Sequence, residues 1–448
     1  MRLYHDSAFD FSRPVPSYWE DTAPPLSFEP QTCAGARQAD VAIIGAGYTG
    51  LTAALLLCRD HGMNVAVLDA GRPGWGASGR NGGFCSPAAA KLPYSAMIRR
   101  HGIDETRIFF SALRHSVEHV REFLSTHEVD AEATEGGDLR LAHKPSRVAE
   151  LRHEAEFMNA TFGVDQRFMG ADELAERGHA GPHFHAGLID PEAFGLHPLK
   201  YLRGLAEAAY RAGATLFAGS EVTGWQVAGG RHILKTAHGE VSARKVLLAT
   251  NGYTPEGTAP WVDGRLMPAL SRIMVTRAIT GEEQSAQGWN VTLPAHDTRD
   301  LLHYFRLLPD GRFLFGGRGG VDASPAGMAR SQANLRATFE RLFPHWAHIQ
   351  SDYAWSGFVC LTRPLTPYAG PLGDADGAYG ALAWHGNGVA MSGYTGRLMA
   401  GVIAGRKGAS EAIPAIMRQP LPRFALAPLR RLMLGAIYVA ADLRDNWG

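Results

Sequence analysis

Lysine is scarce in this chain. Only six are present, Lys91, Lys144, Lys200, Lys235, Lys245 and Lys407, among 448 residues. Few positions can therefore form a Schiff base or set a titratable ammonium beside a bound group. Cysteine is scarcer still, at Cys33, Cys58, Cys85 and Cys360. These form no CxxC pair and show no metal-finger spacing, so no metal is expected. Cys58 falls in an apolar helical pattern and is expected to be buried. Such cysteine usage points to the reducing cytoplasm. There is no excess charge of either sign, with 44 Lys+Arg against 44 Asp+Glu. Nothing in that balance favours nucleic acid or an anionic membrane surface. No apolar run reaches the roughly 18 residues of a membrane span. Met1 to Ser12 lacks the basic-then-apolar signal pattern. HExxH, P-loop and Ser/His/Asp arrangements are absent as well.

Against these absences stands an ordinary globular composition, 45% hydrophobic, at a length that suits about two or three domain-sized units. Residues 1–39 are rich in proline and aromatics, as in Arg13-Pro-Val-Pro-Ser-Tyr-Trp19, and read as an extended arm. From Asp40 the pattern changes. Val41-Ala-Ile-Ile44 is a short apolar run of the kind buried on both faces of a sheet. Tyr48 to Arg59 has helical apolar spacing, and Val65-Ala-Val-Leu68 reads as a second strand. This is one βαβ unit in about 30 residues. Residues 91–185 read as mixed and largely helical. A hairpin is expected around Gly229-Gly230, and further strands at Leu270 to Ile279, Leu302 to Leu308 and Arg312 to Phe315. A helix is expected from Val389 to Ala404.

Gly45-Ala46-Gly47-Tyr48-Thr49-Gly50 is a GxGxxG that follows a strand and opens a helix. The first glycine permits a tight turn, the second lets the backbone approach a pyrophosphate, and the third lets helix pack on strand. The helix N-terminus offers N–H groups and the positive dipole end to phosphates. Asp69, 19 residues after Gly50, ends the second strand, where a carboxylate can accept from ribose hydroxyls. The next stretch, Ala70-Gly-Arg-Pro-Gly-Trp-Gly76-Ala77-Ser78-Gly-Arg80-Asn81-Gly82-Gly83, is more than an NAD site needs. Its glycines let backbone amides crowd a large planar cofactor, which favours FAD. Trp384-His385-Gly386-Asn387-Gly388-Val389 opens the last long helix. Donors there suit the flavin edge that becomes negative on reduction.

The segments Gly74 to Gly83, Leu196-His-Pro198, Ala249-Thr-Asn-Gly-Tyr-Thr254, Arg312 to Arg318 and Gly386 to Val389 occur in the order of a known family. The chain resembles the D-amino-acid-oxidase/glycine-oxidase/sarcosine-oxidase superfamily of flavoproteins, and within it the bacterial γ-glutamylputrescine oxidoreductase group. The resemblance implies an α/β (overall α+β) architecture, with a Rossmann-like FAD-binding domain interleaved with a substrate domain of β-sheet plus helices. The FAD domain would comprise residues 40–90, 190–255 and 355–410. The substrate domain would comprise 91–189 and 256–354, and a C-terminal helical segment 411–448. The resemblance also implies that the Val222 backbone meets the adenine and that Thr250, Asn251 and Gly252 pass near the dinucleotide.

Chemistry would then belong to the flavin. The expected reaction is oxidation of the C–N bond of a small amine, γ-glutamylputrescine-like or another primary or secondary amine. Hydride would pass to flavin N5, the imine would hydrolyse, and O2 or another acceptor would take the electrons. Candidate catalytic residues are Arg318 and Tyr304, on strands facing the flavin. Arg363 would be a carboxylate clamp if the substrate is an amino acid. His385 would be either a flavin-edge residue or a packing histidine. Asn387 replaces the family's usual histidine. FAD is expected to be held without a covalent bond, although Cys360 lies in the region where some relatives attach it. Sarcosine-oxidase-like enzymes activate oxygen with a lysine over the flavin. The corresponding strand here, Arg312-Phe-Leu-Phe315, has none, which makes a dehydrogenase with a non-oxygen acceptor an alternative. A non-catalytic FAD-binding subunit is the alternative of another class. The amphipathic stretch Pro428 to Leu443 is expected to pack on its own domain rather than on a membrane.

Overall fold

A computed structural model describes residues 2–447. Two eight-stranded sheets dominate it. The first is built on five parallel strands, in the order Ala378–Leu382, Gly239–Leu248, Gly35–Ile44, Val65–Leu68 and Thr215–Phe217. Tyr368–Pro371 adds antiparallel at one edge. Its apolar runs divide between two cores by the two-residue period of a strand. Val41, Ile43, Val65 and Val67 pack on one face, under the helices Tyr48–His61, Pro198–Arg211 and Val389–Ile403. Ala42, Ile44, Ala66 and Leu68 pack on the other face, with Trp225 and Leu234. The last two residues belong to the hairpin Gly224–Ala228 and Arg231–Lys235, turned at Gly229 and Gly230. Both glycines have positive φ, the requirement of a two-residue hairpin turn whose twist matches its strands.

The second sheet runs Ser351–Leu361, Met267–Ala278, Arg312–Arg318, Tyr304–Leu307, Ala295–Asp297, Asp138–Leu141, Ala186–Asp190 and Arg167–Gly170. Phe305, Phe313 and Phe315 face a core completed by Leu335, Phe339 and Leu342 of the helix Pro325–Leu342. The opposite face, carrying Ser271, His296, Tyr304 and Arg318, turns toward the first sheet and walls a cavity between them. In register, Ser271 stands between Arg318 on one neighbour and Gly357 on the other.

Several elements differ from the sequence expectation. The first strand begins at Gly35, inside the stretch read as the arm. Asp138–Leu141 and Arg167–Gly170 are strands within a region read as largely helical. Each is four residues long, too short to establish a period. Ser351–Leu361 runs through the boundary expected at residue 355 and pairs along its length with Met267–Ala278. Ser356 and Gly357 interrupt its apolar residues, so no even two-residue period marks it as one strand. The arm itself is anchored. Trp19 is fully buried and its indole donates to the Asn81 carbonyl at 2.9 Å. Phe9 stacks on Phe358 with centroids 5.5 Å apart.

The C-terminal helix Arg430–Trp447 packs one side on the second sheet. Asp445 accepts from the Asp300 and Leu301 N–H groups at 2.9 and 3.1 Å. Leu432, Ile437, Val439 and Leu443 on this helix are exposed. Among the described residues, no helix is long and apolar enough to cross a membrane.

Candidate active site

The cavity between the sheets has a volume of about 340 Å³ and reaches from the Gly45 turn to the wall carrying Arg318. At the first end, Gly45 has φ +109°, and a Cβ there would lie 2.8 Å from the Ala249 carbonyl oxygen. Only glycine fits both constraints. Gly47 N-caps the helix without a side-chain cap, and the Tyr48 N–H meets Ser78 Oγ at 3.2 Å. The remaining first-turn N–H groups have no partner within the helix. They lie at the cavity edge, where Gly47, Tyr48 and Thr49 form the lining.

Asp69 holds the turn together. Its two oxygens accept from the Ala46 N–H at 2.7 Å and the Gly71 N–H at 2.9 Å. Burial pushes its pKa up, and those two hydrogen bonds oppose the shift. Asn81 staples the following loop. Its side-chain oxygen accepts from Gly83 N–H at 2.8 Å and its amide donates to the Ser78 carbonyl at 2.9 Å. Arg80 is a half-buried cation with no carboxylate partner among the described residues. Its Nη1 donates to the Ser356 carbonyl at 3.0 Å and its guanidinium stacks 3.9 Å from the Trp75 ring. Burial lowers its pKa, and Nη2 has no hydrogen-bond partner among the described residues.

At the far end the segment 383–388 is strained. Ala383 and His385 have φ +69° and +53°, and Gly386 has +96°. Non-glycine residues at positive φ are uncommon and cost free energy, so the surroundings must hold them. Asn251, itself at φ +48°, accepts the Ala383 N–H on Oδ1 at 2.8 Å. His385 is fully buried, with Nε2 3.2 Å from the Thr362 N–H and Nδ1 3.3 Å from the Ala89 carbonyl. These partners place the proton on Nδ1. Burial, the largest cause, brings its pKa down to about 3, so the ring is neutral. Both nitrogens are thus engaged by the protein, which supports the packing reading of His385 over the flavin-edge one.

Tyr304 Oη is 2.9 Å from Ser271 Oγ, and burial raises the phenol to about 12. Arg318 is half-buried beside Gly386, and its guanidinium has no hydrogen bond or ion pair among the described residues. Cys360 is buried at the cavity wall. Burial pushes its thiol up to about 12, which suppresses the thiolate that covalent attachment needs. Among the described residues no cluster of three or more His, Cys, Asp or Glu could hold a metal ion.

Of the residues singled out from sequence, Gly45, Ala46, Gly47, Tyr48, Thr49, Asp69, Ala70, Gly76, Ala77, Ser78, Arg80, Asn81 and Gly82 line this cavity. So do Val222, Thr250, Asn251, Gly386, Asn387, Gly388, Val389, Tyr304, Arg318, Cys360 and His385. Gly50, Gly83 and Gly252 do not. They are close-approach positions: an added Cβ would overlap the Gly45 carbonyl at Gly50 and the Leu196 carbonyl at Gly83. At Gly252 it would lie 3.1 Å from Phe358 Cβ. Arg363 is exposed and stands outside the lining. Lys91, Asp138 and His296 were missed and line the cavity. No local pattern marks them, since three separate segments bring them together.

A glycine turn on a parallel sheet, an acid at the next strand end and a cavity running on to a second sheet define a dinucleotide-binding class. The chain belongs to the DAO family of FAD dependent oxidoreductases, whose pattern matches residues 40–402. It is 32% identical over 410 residues to a probable oxidoreductase OrdL of Rhizobium meliloti, covering 91% of this chain and 92% of that one. It is 28% identical over 409 residues to gamma-glutamylputrescine oxidoreductase of Escherichia coli, covering 91% and 93%. The fold is similar to that of glycine oxidase from Bacillus cereus, with TM-score 0.66 and 19% identity, covering 87% of this chain and 99% of that one. The protein is therefore an FAD-dependent oxidoreductase.

The residues present fit that cofactor. Gly45 and Gly47 leave a cradle that a Cβ would fill, and the orphaned Arg80 Nη2 lies at its wall. An Arg80→Met variant should bind FAD about 10- to 100-fold more weakly, the worth of one hydrogen bond to a charged group. Fluorescence titration of apoprotein with FAD measures this. An unchanged dissociation constant would remove Arg80 from the cofactor site.

Proposed function

We propose that the protein oxidises the C–N bond of a small primary or secondary amine, of which a γ-glutamylated diamine is one type. The observation that carries this reading is the single cavity joining the Gly45–Thr49 turn to the unpaired Arg318 guanidinium beside Gly386. FAD would be held by the turn, Asp69, the loop 76–82 and the segment 386–389, without a covalent bond. When bound, it supplies a two-electron acceptor for a carbon–hydrogen bond next to nitrogen.

The second sheet would do the rest. Arg318 offers a bidentate donor to a carboxylate elsewhere on the substrate, which would fix the reacting carbon in place. Tyr304 and Ser271, bonded to each other, present a neutral hydroxyl pair to the amine. Ile273 and Leu302 line the same space and exclude water. Arg363, exposed and outside the cavity, is not carried forward as the clamp.

The test is aerobic incubation of the holoenzyme with a panel of amines and amino acids, with peroxide as the readout. Peroxide release indicates an oxidase. Amine-dependent loss of flavin colour without peroxide indicates a dehydrogenase with another acceptor.

A further inference from the structure

We propose that Lys91 is the base that takes the proton from the substrate ammonium, a catalytic residue supplied by the loop between Cys85 and Tyr94. This rests on the amine-oxidising reading above. Of the six lysines, Lys91 is the one that lines the cavity. Lys144, Lys200 and Lys245 make hydrogen bonds elsewhere, and Lys235 and Lys407 are exposed. The Lys91 side chain has no hydrogen bond or ion pair among the described residues, so its amine is available to a ligand.

The backbone around it is pinned. The N–H groups of Lys91 and Leu92 both donate to the Leu365 carbonyl, at 2.9 and 3.2 Å. One residue before this segment's apolar neighbour Ala90, the Ala89 carbonyl meets His385 Nδ1 at 3.3 Å. His385 is therefore a positioning residue for this loop.

The surroundings of Lys91 favour a neutral amine. Burial is the largest cause. Arg318 on Arg312–Arg318 and Arg140 on Asp138–Leu141 add positive potential, while Asp300 opposes them. His296 and His385 also face it, and burial holds both near 3, so neither is charged at neutral pH. The outcome for Lys91 is a pKa of about 7.

An alkyl ammonium, with a pKa of about 10, is protonated at neutral pH and has no lone pair with which to form a C=N bond. The neutral Lys91 Nζ can accept its proton. One N–H bond breaks on the substrate, one forms on Lys91, and no electrons change hands. The new charge beside Arg318 is disfavoured, so the proton passes on to water once product leaves. A base is most effective when its pKa lies near the working pH.

Asp138 lies on the same wall. Its carboxyl is raised to about 7 by burial and by Asp190, and accepts a hydrogen bond from Ser86 Oγ. It is the competing base, and the test includes it.

Anaerobic bleaching of the holoenzyme flavin by γ-glutamylputrescine should be followed from pH 5.5 to 9.5 (roughly one and a half units below the pKa of Lys91 to two and a half above). Wild-type bleaching should slow about tenfold per unit below pH 7. Lys91→Met should be at least about 100-fold slower at pH 8 and should lack that limb, with no rescue in Lys91→Arg. Bound flavin, read from the visible spectrum, checks that each variant is folded. Independently, acetic anhydride labelling of wild type with peptide mass spectrometry should give Lys91 a midpoint near 7, against about 10 for lysine in a short reference peptide.

Three results would overturn the assignment. The limb could persist in Lys91→Met and vanish in Asp138→Asn. The variant could lose only the aerobic reoxidation rate. Labelling could place Lys91 near 10. If no amine bleaches wild type, the amine reading itself fails and the role of Lys91 falls with it. Bleaching with an unchanged profile in the variant rejects Lys91 alone.

Discussion

Gly50→Ala should yield a protein that no longer retains FAD. The usual effect of this change runs the other way, since alanine is favoured over glycine within a helix by about 1 kcal/mol. Here the Cβ would overlap the Gly45 carbonyl oxygen and lie 3.1 Å from Ile43 Cγ2. Gly45 is backbone at the tight turn, so no side chain can swing away. The helix Tyr48–His61 would have to move off the strand Gly35–Ile44. That movement costs about 1–3 kcal/mol in overpacking, and it carries the first-turn N–H groups away from the cavity. Affinity for FAD should fall by at least about 100-fold, the loss of two or more charge-assisted contacts. The melting temperature of the apoprotein should fall with it. Gly401→Ala is the control. Its Cβ would sit 3.4 Å from Ala409 Cβ, an ordinary contact, within the helix Val389–Ile403, so FAD affinity should not change and the melting temperature should hold or rise slightly. FAD content after purification and thermal unfolding of both variants check this. Normal cofactor content in Gly50→Ala would show that the turn does not carry the cofactor.

Arg318→Met should separate binding of the substrate's charged end from the chemistry. The guanidinium has no protein partner among the described residues, so its removal leaves no protein carboxylate stranded. The loss should therefore be confined to what Arg318 gives the substrate. A bidentate pair with a carboxylate, two charge-assisted hydrogen bonds, corresponds to about 100- to 1000-fold in kcat/KM. The loss should fall mainly on KM for amines that carry a carboxylate. Simple alkylamines, which lack the carboxylate, should be little affected. Steady-state kinetics on the two substrate types decide it. An equal loss on both would mean that Arg318 acts through the cofactor or the fold.

The parts of this molecule that could be read from sequence are those whose physics is local. Val41–Ile44, Tyr48–Arg59 and Val65–Leu68 each carry a period or an apolar run, and glycines at fixed offsets mark the turn between the first two. Asp69 follows from its place at a strand end. The second sheet was less legible, because Asp138–Leu141 and Arg167–Gly170 are too short to declare a period and Ser351–Leu361 is interrupted at Ser356 and Gly357. Its long central strand Met267–Ala278 was seen, and with it the face that carries Arg318.

The candidate site divides in the same way. The cofactor end was visible because a glycine-rich loop has one strong physical use. The substrate end was not, because Lys91, His296 and Asp138 come from segments far apart in the chain and become neighbours only through the sheet order. Arg363 shows the opposite error. Resemblance to other branches of the family pointed to a clamp, but the side chain is exposed and outside the cavity lining. The scarcity of lysine proved informative, since one of only six reaches the cavity.

The central claim is that a small amine gives up two electrons to FAD in the cavity between the two sheets. Anaerobic addition of γ-glutamylputrescine and related amines to the purified holoenzyme, followed by its visible spectrum, tests this most directly. At least one amine should bleach the flavin band fully and in a saturable way, and Arg318→Met should shift the half-saturating concentration upward. A flavin band that no amine or amino acid alters would contradict the account.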